Sequence, residues 1–438
     1  MSSRHIKYLL IGGGLAGCAA AEVIRAMDRL GSILLVGQEI VRPYHRPPLS
    51  KDYLRRQTPR EKLFTHGQGW FEDNQIEFRS GRRAVHLDVT RGAVTLDQGE
   101  TIGYDKLLLA TGMAPRSLDV PGAHLPNLFY LRTLEDAHHL QTAIDKALHE
   151  GHRHPLPQGL PGVGKTGRGT AAVIGAGALG VELAASLTQL GISVDLLCSR
   201  AHPWDKFAGE IVGKALSFFL EQHGVRVHPL SRPARVEGDG RVQRVALQHA
   251  DAIDCDFAVA AVGATAHREL LRGTPVAAES AILTDDHCRT NVPNIYAAGD
   301  CAALFDPLFG KHRIVDHWDQ AAQTGKLAGR NMAGADEAFN TVSEFFSDIF
   351  ELSLKGWGEP RLVERRLVRN IGSGNGSAPD MIEIGVAGDG RVAQVLTLGQ
   401  HGDESLLRGL VARRARIDGL EEKLKDPSVP LAELLRHA

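Results

Sequence analysis

Two glycine fingerprints, each at the turn from a short apolar strand into a helix, constrain this chain more than any other feature. They read Gly12-x-Gly14-x-x-Gly17 and Gly175-x-Gly177-x-x-Gly180. Around the first, apolar spacing predicts a strand over 6–11, a helix over 15–29 and a second strand over 33–36. Around the second the same succession falls at 171–174, 179–190 and 194–197. Each is a βαβ unit in which glycine permits the tight turn and the helix N-terminus can meet a pyrophosphate. A chain carrying two such turns is expected to hold two dinucleotides.

The residues after each second strand differ. The first runs into Gly37, Gln38 and Glu39, and either Gln38 or Glu39 could take ribose hydroxyls. The second runs into Cys198, Ser199 and Arg200, with no carboxylate to select a free 2′-hydroxyl. Ser199 and Arg200 could hold a 2′-phosphate, so the chemistry leans toward NADP over NAD. A third glycine motif, Gly159 to Thr166, matches the P-loop pattern G-x-x-x-x-G-K-T, Lys165 included. It has neither a buried strand before it nor a helix after it, so it reads as a loop with a solvated lysine.

A length of 438 residues implies about three domains. Hydrophobic residues at 43% and charged residues at 23% exclude a disordered chain, and a net charge of −2 argues against nucleic acid as a main partner. No apolar run approaches the ~18 residues of a membrane span, so no membrane insertion is expected. The five cysteines, Cys18, Cys198, Cys255, Cys288 and Cys301, are odd in number, scattered and without C-x-x-C spacing. That argues against zinc and for a reducing compartment, so the expected location is cytoplasmic. His138, His139, His152 and His154 lack supporting ligand spacing, and no metal is expected. Residues 151–169, rich in Gly, Pro and basic residues, read as a flexible loop; after 334, short strands at 362–368, 381–386 and 392–398 with a turn at 372–379 precede a charged helical tail. Within the tail, Arg413, Arg414 and Arg416 read as a charged helix face or a docking patch.

Four further segments complete the pattern: Arg46-Pro47-Pro48-Leu49-Ser50-Lys51, the run Leu107 to Gly112, the run Thr290 to Asp300, and Asp316-His317-Trp318. Together with the fingerprints they resemble the FAD-dependent pyridine nucleotide-disulfide oxidoreductase superfamily, in the branch of ferredoxin and rubredoxin reductases, monodehydroascorbate reductases and apoptosis-inducing-factor-like proteins. The resemblance covers roughly residues 5–360. It implies an α/β fold with two Rossmann-like domains, one for FAD and one for NAD(P), and a C-terminal α+β domain. The FAD domain would be split over 1–128 and 264–334, the NAD(P) domain would span 129–263, and 335–438 would form the third.

The resemblance also implies site residues. Asp300 would bond the ribityl chain of FAD, Thr111 and Gly112 would bring backbone to the cofactor, and Arg46 with Arg116 would neutralise the pyrophosphate or line the flavin pocket. Lys51, Val85, Ala110, His317 and Trp318 would join them, and Gly263 would join the NAD(P) set. Lys51 and Glu182 would meet beside the flavin and nicotinamide as the catalytic pair, and Phe346-Ser347-Asp348 with Trp357 would close the flavin site. Disulfide-reducing branches carry redox cysteines after the first long loop; here Arg46 to Leu54 contains none, which excludes disulfide chemistry. The implied activity is hydride transfer from NAD(P)H to FAD, then electron transfer to a ferredoxin- or rubredoxin-type carrier. Alternatives are a small acceptor such as a quinone, a monodehydroascorbate-like radical or oxygen, or a slow redox-sensing interaction protein. A homodimer stays open.

Overall fold

The computed structural model describes residues 4–150, 153–155, 166–374, 378–399 and 403–434. The chain groups into two compact units. The first comprises Met1–His45, Arg60–Ala114 and Ala264–Ser343, and the second Arg46–Pro59, Pro115–Gly263 and Glu344–Ala438.

The first unit is built on a seven-stranded sheet. The strands Ile76–Arg79, Ile33–Val36, Arg4–Ile11, Thr101–Leu109 and Ile295–Ala297 are all parallel to their neighbours, and two antiparallel strands, Ala93–Leu96 and Ala84–Asp88, extend one side. Arg4–Ile11 ends in four consecutive buried residues, the pattern of a strand covered on both faces. One covering layer pairs the helices Leu15–Met27 and Trp318–Met332. They approach closely because small residues face each other. A Cβ at Gly325 would lie 2.3 Å from the Ala16 carbonyl oxygen, and one at Gly329 would lie 2.7 Å from that of Ala20. The first helix stops at Met27, short of the expected 29. Asp28 takes the N–H groups of Leu30 and Gly31 on its carboxylate, a local bond that competes with helix propagation.

The second unit contains a five-stranded parallel sheet in the order Arg226–His228, Ser193–Leu197, Thr170–Ile174, Phe257–Ala260, Leu128–Phe129. It also contains a five-stranded antiparallel sheet ordered Glu344–Ile349, Leu352–Gly358, Val392–Leu398, Ala378–Ala387, Val363–Gly374. The last two strands run into the expected turn, because their ladder continues to Gly374 and Ala378. The helical tail is tied down by Arg369. Its guanidinium donates to the carbonyls of Leu424, Asp426, Pro427 and Val429. Arg414 likewise binds the Val392 carbonyl and Asp389. In the expected loop, 153–155 and 166–168 pair antiparallel. The P-loop-like residues Gly159, Gly164 and Lys165, and His152, lie outside the described residues.

Asp195 sits at the centre of its strand, buried, and opposite Arg226 in the parallel register. Arg226 donates to both its oxygens at 2.8 and 2.5 Å, and His228 Nε2 lies 2.7 Å from Oδ1. Burial opposes ionisation, but His228 and Arg226 outweigh it and hold the carboxyl below its usual value. A carboxyl depressed in the folded state stabilises above its unfolded pKa and loses that contribution as pH falls through the folded value. Asp195→Asn is therefore expected to cost about 1–3 kcal/mol at neutral pH. Urea melts of the variant should also show a flatter acid limb below the usual carboxylate range; an acid limb matching wild type would show that this carboxylate does not govern acid stability.

Candidate functional site

The parallel ladders of the first unit bring four strand exits to one edge. Ile11 pairs with Val36 and with Leu109, and Leu109 pairs with Ala297. Gly12, the pair Gln38 and Glu39, the run Ala110 to Gly112, and Asp300 therefore leave the sheet side by side. Such a carboxyl-end crevice is where α/β sheets take ligands.

The three glycines of the fingerprint have separate physical roles. Gly12 has φ +129°, and a Cβ there would lie 2.0 Å from the Ala110 oxygen. A Cβ at Gly17 would lie 2.1 Å from the Gly12 oxygen. Both are fixed by packing of the chain on itself. Gly14 differs: among the described residues a Cβ there meets no atom within 4 Å, and no side chain caps the helix that it begins. The open space and free helix N-terminus fit a pyrophosphate brought against the backbone.

Around this turn Gln38 is exposed, while Glu39 is half-buried and accepts from the Tyr44 hydroxyl at 2.6 Å. Thr111 donates its hydroxyl to the His267 carbonyl, and His267 N–H bonds Gly112, which has φ +68°. Asp300 follows Gly299, whose N–H is held by Thr324. Val85 is the extra residue of a β-bulge in Ala84–Asp88. His317 begins the helix Trp318–Met332, and burial pushes its imidazole below the usual value. The Trp318 indole donates to His45 Nδ1 at 3.0 Å, leaving Nε2 as that ring's donor position. His45 belongs to none of the sequence motifs, and the bond joins residues far apart in the chain.

The second unit repeats the arrangement. Ile174 pairs with Leu197 and Ala260, so Gly175, Cys198 to Arg200, and Gly263 leave at one edge. Cβ atoms at Gly175 and Gly180 would meet the Ala261 and Gly175 oxygens at 2.4 and 1.8 Å, while Gly177 again faces open space. Cys198 fills the strand end as a buried thiol pushed up to about 12 by burial. Ser199 is exposed, and Arg200, also exposed, lies 3.9 Å from Asp205. Arg116 N–H bonds the Gly263 carbonyl, and Arg46 donates to the Arg132 carbonyl.

Lys51 and Glu182 are brought together in this unit. Lys51 follows a 3-10 turn, Pro47–Ser50, and its Nζ lies 3.2 Å from Glu182 Oε1 and 3.6 Å from Asp348 Oδ2. The residues after the turn are anchored by long-range bonds: Tyr53 bonds His138, Arg56 bonds Asp145, and Arg55 bonds Ser186. Glu182 stands in the second turn of the helix Ala178–Gln189, and it is buried. Ser50 and Ser347 each donate a hydroxyl to it at 2.6 Å. Neither serine could be assigned this role from sequence, since both bonds join residues far apart in the chain. Trp357 is buried, with its indole bonded to Glu344. Cys18, pushed up to about 11 by burial, packs in the first helix beside Thr65. Among the described residues, Asp285, Asp286 and His287 form a cluster with metal-ligand spacing, and His287 Nδ1 lies 2.7 Å from Asp286. Also among the described residues, no helix is long and apolar enough to cross a membrane.

A family profile described as pyridine nucleotide-disulphide oxidoreductase matches residues 6–325. The anthranilate 1,2-dioxygenase system ferredoxin–NAD(+) reductase component of Burkholderia cepacia is 28% identical over 98% of this chain and 99% of its own length. Rhodocoxin reductase of Rhodococcus erythropolis is 30% identical over 83% of this chain and 81% of its own. The crystal structure of the covalent putidaredoxin reductase–putidaredoxin complex superposes with a TM-score of 0.86 at 26% identity, covering 98% of both chains.

The glycine geometry separates packing from ligand contact. Gly14→Ala should keep the wild-type melting temperature to within about 2–3 °C yet lose FAD, the dinucleotide expected at this turn. Gly17→Ala should lose about 2 kcal/mol or more of stability. Equal FAD content in wild type and Gly14→Ala, measured by absorbance after gel filtration, would refute the assignment of this space to the cofactor.

Proposed function

The chain belongs to the pyridine nucleotide-disulphide oxidoreductase family, and on that basis we propose that it is an FAD-dependent NAD(P)H oxidoreductase that passes electrons to a ferredoxin- or rubredoxin-type carrier. The observation that carries this reading is the duplicated cradle: two strand-to-helix turns, each with a middle glycine facing open space at the carboxyl edge of a parallel sheet. Two cradles fit two dinucleotides, one resident and one exchanging. FAD, when bound, supplies the link between two-electron and one-electron transfer. The absence of cysteine from Arg46 to Leu54 fits electrons leaving without a protein disulfide.

The chain's own groups supply binding, orientation and charge. We assign Gly12, Gly14, Gly17, Glu39, Thr111 and Asp300 to FAD, with Asp300 accepting from hydroxyls. Gly175, Gly177, Gly180, Ser199 and Arg200 are assigned to the nicotinamide dinucleotide, and the Arg200 guanidinium favours a 2′-phosphate. Lys51 and Glu182 serve the hydride step: a fixed ammonium stabilises negative charge that develops during reduction, and the buried carboxylate holds that ammonium in place. In domain terms, 1–128 with 264–334 hold FAD, 129–263 hold NAD(P), and 335–438 form the third domain. A cytoplasmic location agrees with five free, buried thiols.

Purified protein should be yellow and bleach on anaerobic addition of NADPH or NADH; colourless protein that takes up no FAD would overturn the reading. Lys51→Ala and Glu182→Ala should each slow flavin reduction by roughly ten- to a hundredfold with FAD retained, and the double variant should be less than additive. Stopped-flow rates equal to wild type, or fully additive losses, would remove the pair from the hydride step. Arg200→Glu should lower the NADPH/NADH ratio of kcat/KM by about tenfold, the loss of one charge-assisted bond. An unchanged ratio would mean that Arg200 does not set the choice.

A further inference from the structure

We propose that Ser347 is a positioning residue that sets how the Lys51 ammonium is shared between Glu182 and Asp348, an inference that rests on the hydride-transfer reading above. Ser347 lies in the strand Glu344–Ile349, fully buried and held opposite Leu354 by the antiparallel ladder. Its hydroxyl reaches Glu182 Oε1 at 2.6 Å, the same oxygen that Lys51 Nζ meets at 3.2 Å. Ser50 takes the other oxygen, Oε2, at 2.6 Å.

The arrangement fixes the carboxylate's rotation. A hydroxyl has one hydrogen to donate, and here two hydroxyls from segments far apart in sequence hold the two oxygens separately. Turning the carboxylate to offer both oxygens to Lys51 would break both short bonds. The ammonium is therefore kept to one oxygen of Glu182 and stays within 3.6 Å of Asp348, whose side chain is 58% exposed. It also lies 5.0 Å from the centre of the Phe346 ring. Phe346, Ser347 and Asp348 thus all act on this one lysine: the ring and the outer carboxylate directly, the serine through Glu182.

Without the Ser347 hydroxyl, the buried carboxylate loses one of three donors and must satisfy its charge from Ser50 on Oε2 and Lys51 on Oε1. Oε1, left to Lys51 alone, is then expected to draw the ammonium in and away from Asp348. The displacement moves the charge that serves hydride transfer without removing any group that holds NAD(P)H.

The test is Ser347→Ala in the full-length holoprotein. The limiting rate of flavin reduction should fall about tenfold, while the NAD(P)H dissociation constant from the same stopped-flow series, the FAD content and the melting temperature stay close to wild type. Ser347→Thr, which keeps the hydroxyl, should restore the rate, and Ser347→Ala in a Glu182→Gln background should add no further loss. A crystal structure of Ser347→Ala should show Lys51 Nζ drawn closer onto Glu182 Oε1 and out of reach of Asp348. An unchanged limiting rate, or an ammonium still shared between the two carboxylates, would overturn the proposal. If Ser347→Ala does not fold, Ser347→Cys, with similar volume and a weaker donor, carries the same expectations. A wild-type flavin that neither NADPH nor NADH reduces would instead sink the hydride-transfer reading, and the crystal structure would still decide what Ser347 holds.

Discussion

Both dinucleotide cradles depend on one constraint, the lack of room for a side chain where a strand turns into its helix between two neighbouring strand exits. At Gly12 and Gly175 a single added carbon would collide with the carbonyl of the adjacent exit, and at Gly17 and Gly180 with the first glycine itself. The turn can be that tight only because the strands are parallel and end together, which gathers backbone N–H groups, strand-end side chains and a helix N-terminus at one edge. Only the middle glycine faces outward. That asymmetry leaves the backbone open at one point of an otherwise tightly packed turn.

The same economy of side chain extends away from the turn. In the first unit, Gly325 and Gly329 lie against Ala16 and Ala20, so the helix beginning at Trp318 packs backbone to backbone on the fingerprint helix. Its first residues are thereby fixed relative to the fingerprint helix. The cysteines contribute through volume. All five are buried, and burial raises each thiol, so none has the low-pKa, accessible character of a redox cysteine.

The second unit is notable for buried carboxylates, each satisfied differently. Asp195 is paired across a parallel ladder with Arg226 and His228. Glu383 receives the Gly209 N–H and Arg366, yet burial dominates and its carboxyl is pushed up. Glu182 combines hydroxyl donors with a lysine. A hydroxyl pair fixes the carboxylate's orientation without neutralising its charge, which leaves that charge for the lysine.

The amino-acid sequence determined the two βαβ units, the positions of their glycine turns and the missing redox cysteines, because those signals are local: a period of apolar residues, a spacing of glycines, a stretch without a thiol. The family resemblance supplied the pairing of Lys51 with Glu182, which spacing alone could not have reached. Tertiary structure decided the rest. It grouped Arg46–Pro59 with the second unit, through bonds to Arg132, His138, Asp145 and Ser186 that lie far along the chain. It gave Ser50, Ser347 and His45 partners that no local pattern encodes. Ser50 and Ser347 are ordinary letters in a turn and a strand. Their role arises only when folding sets two hydroxyls on opposite oxygens of one carboxylate, a geometry fixed by backbone pairing and helix packing over long sequence separation rather than by the serines themselves.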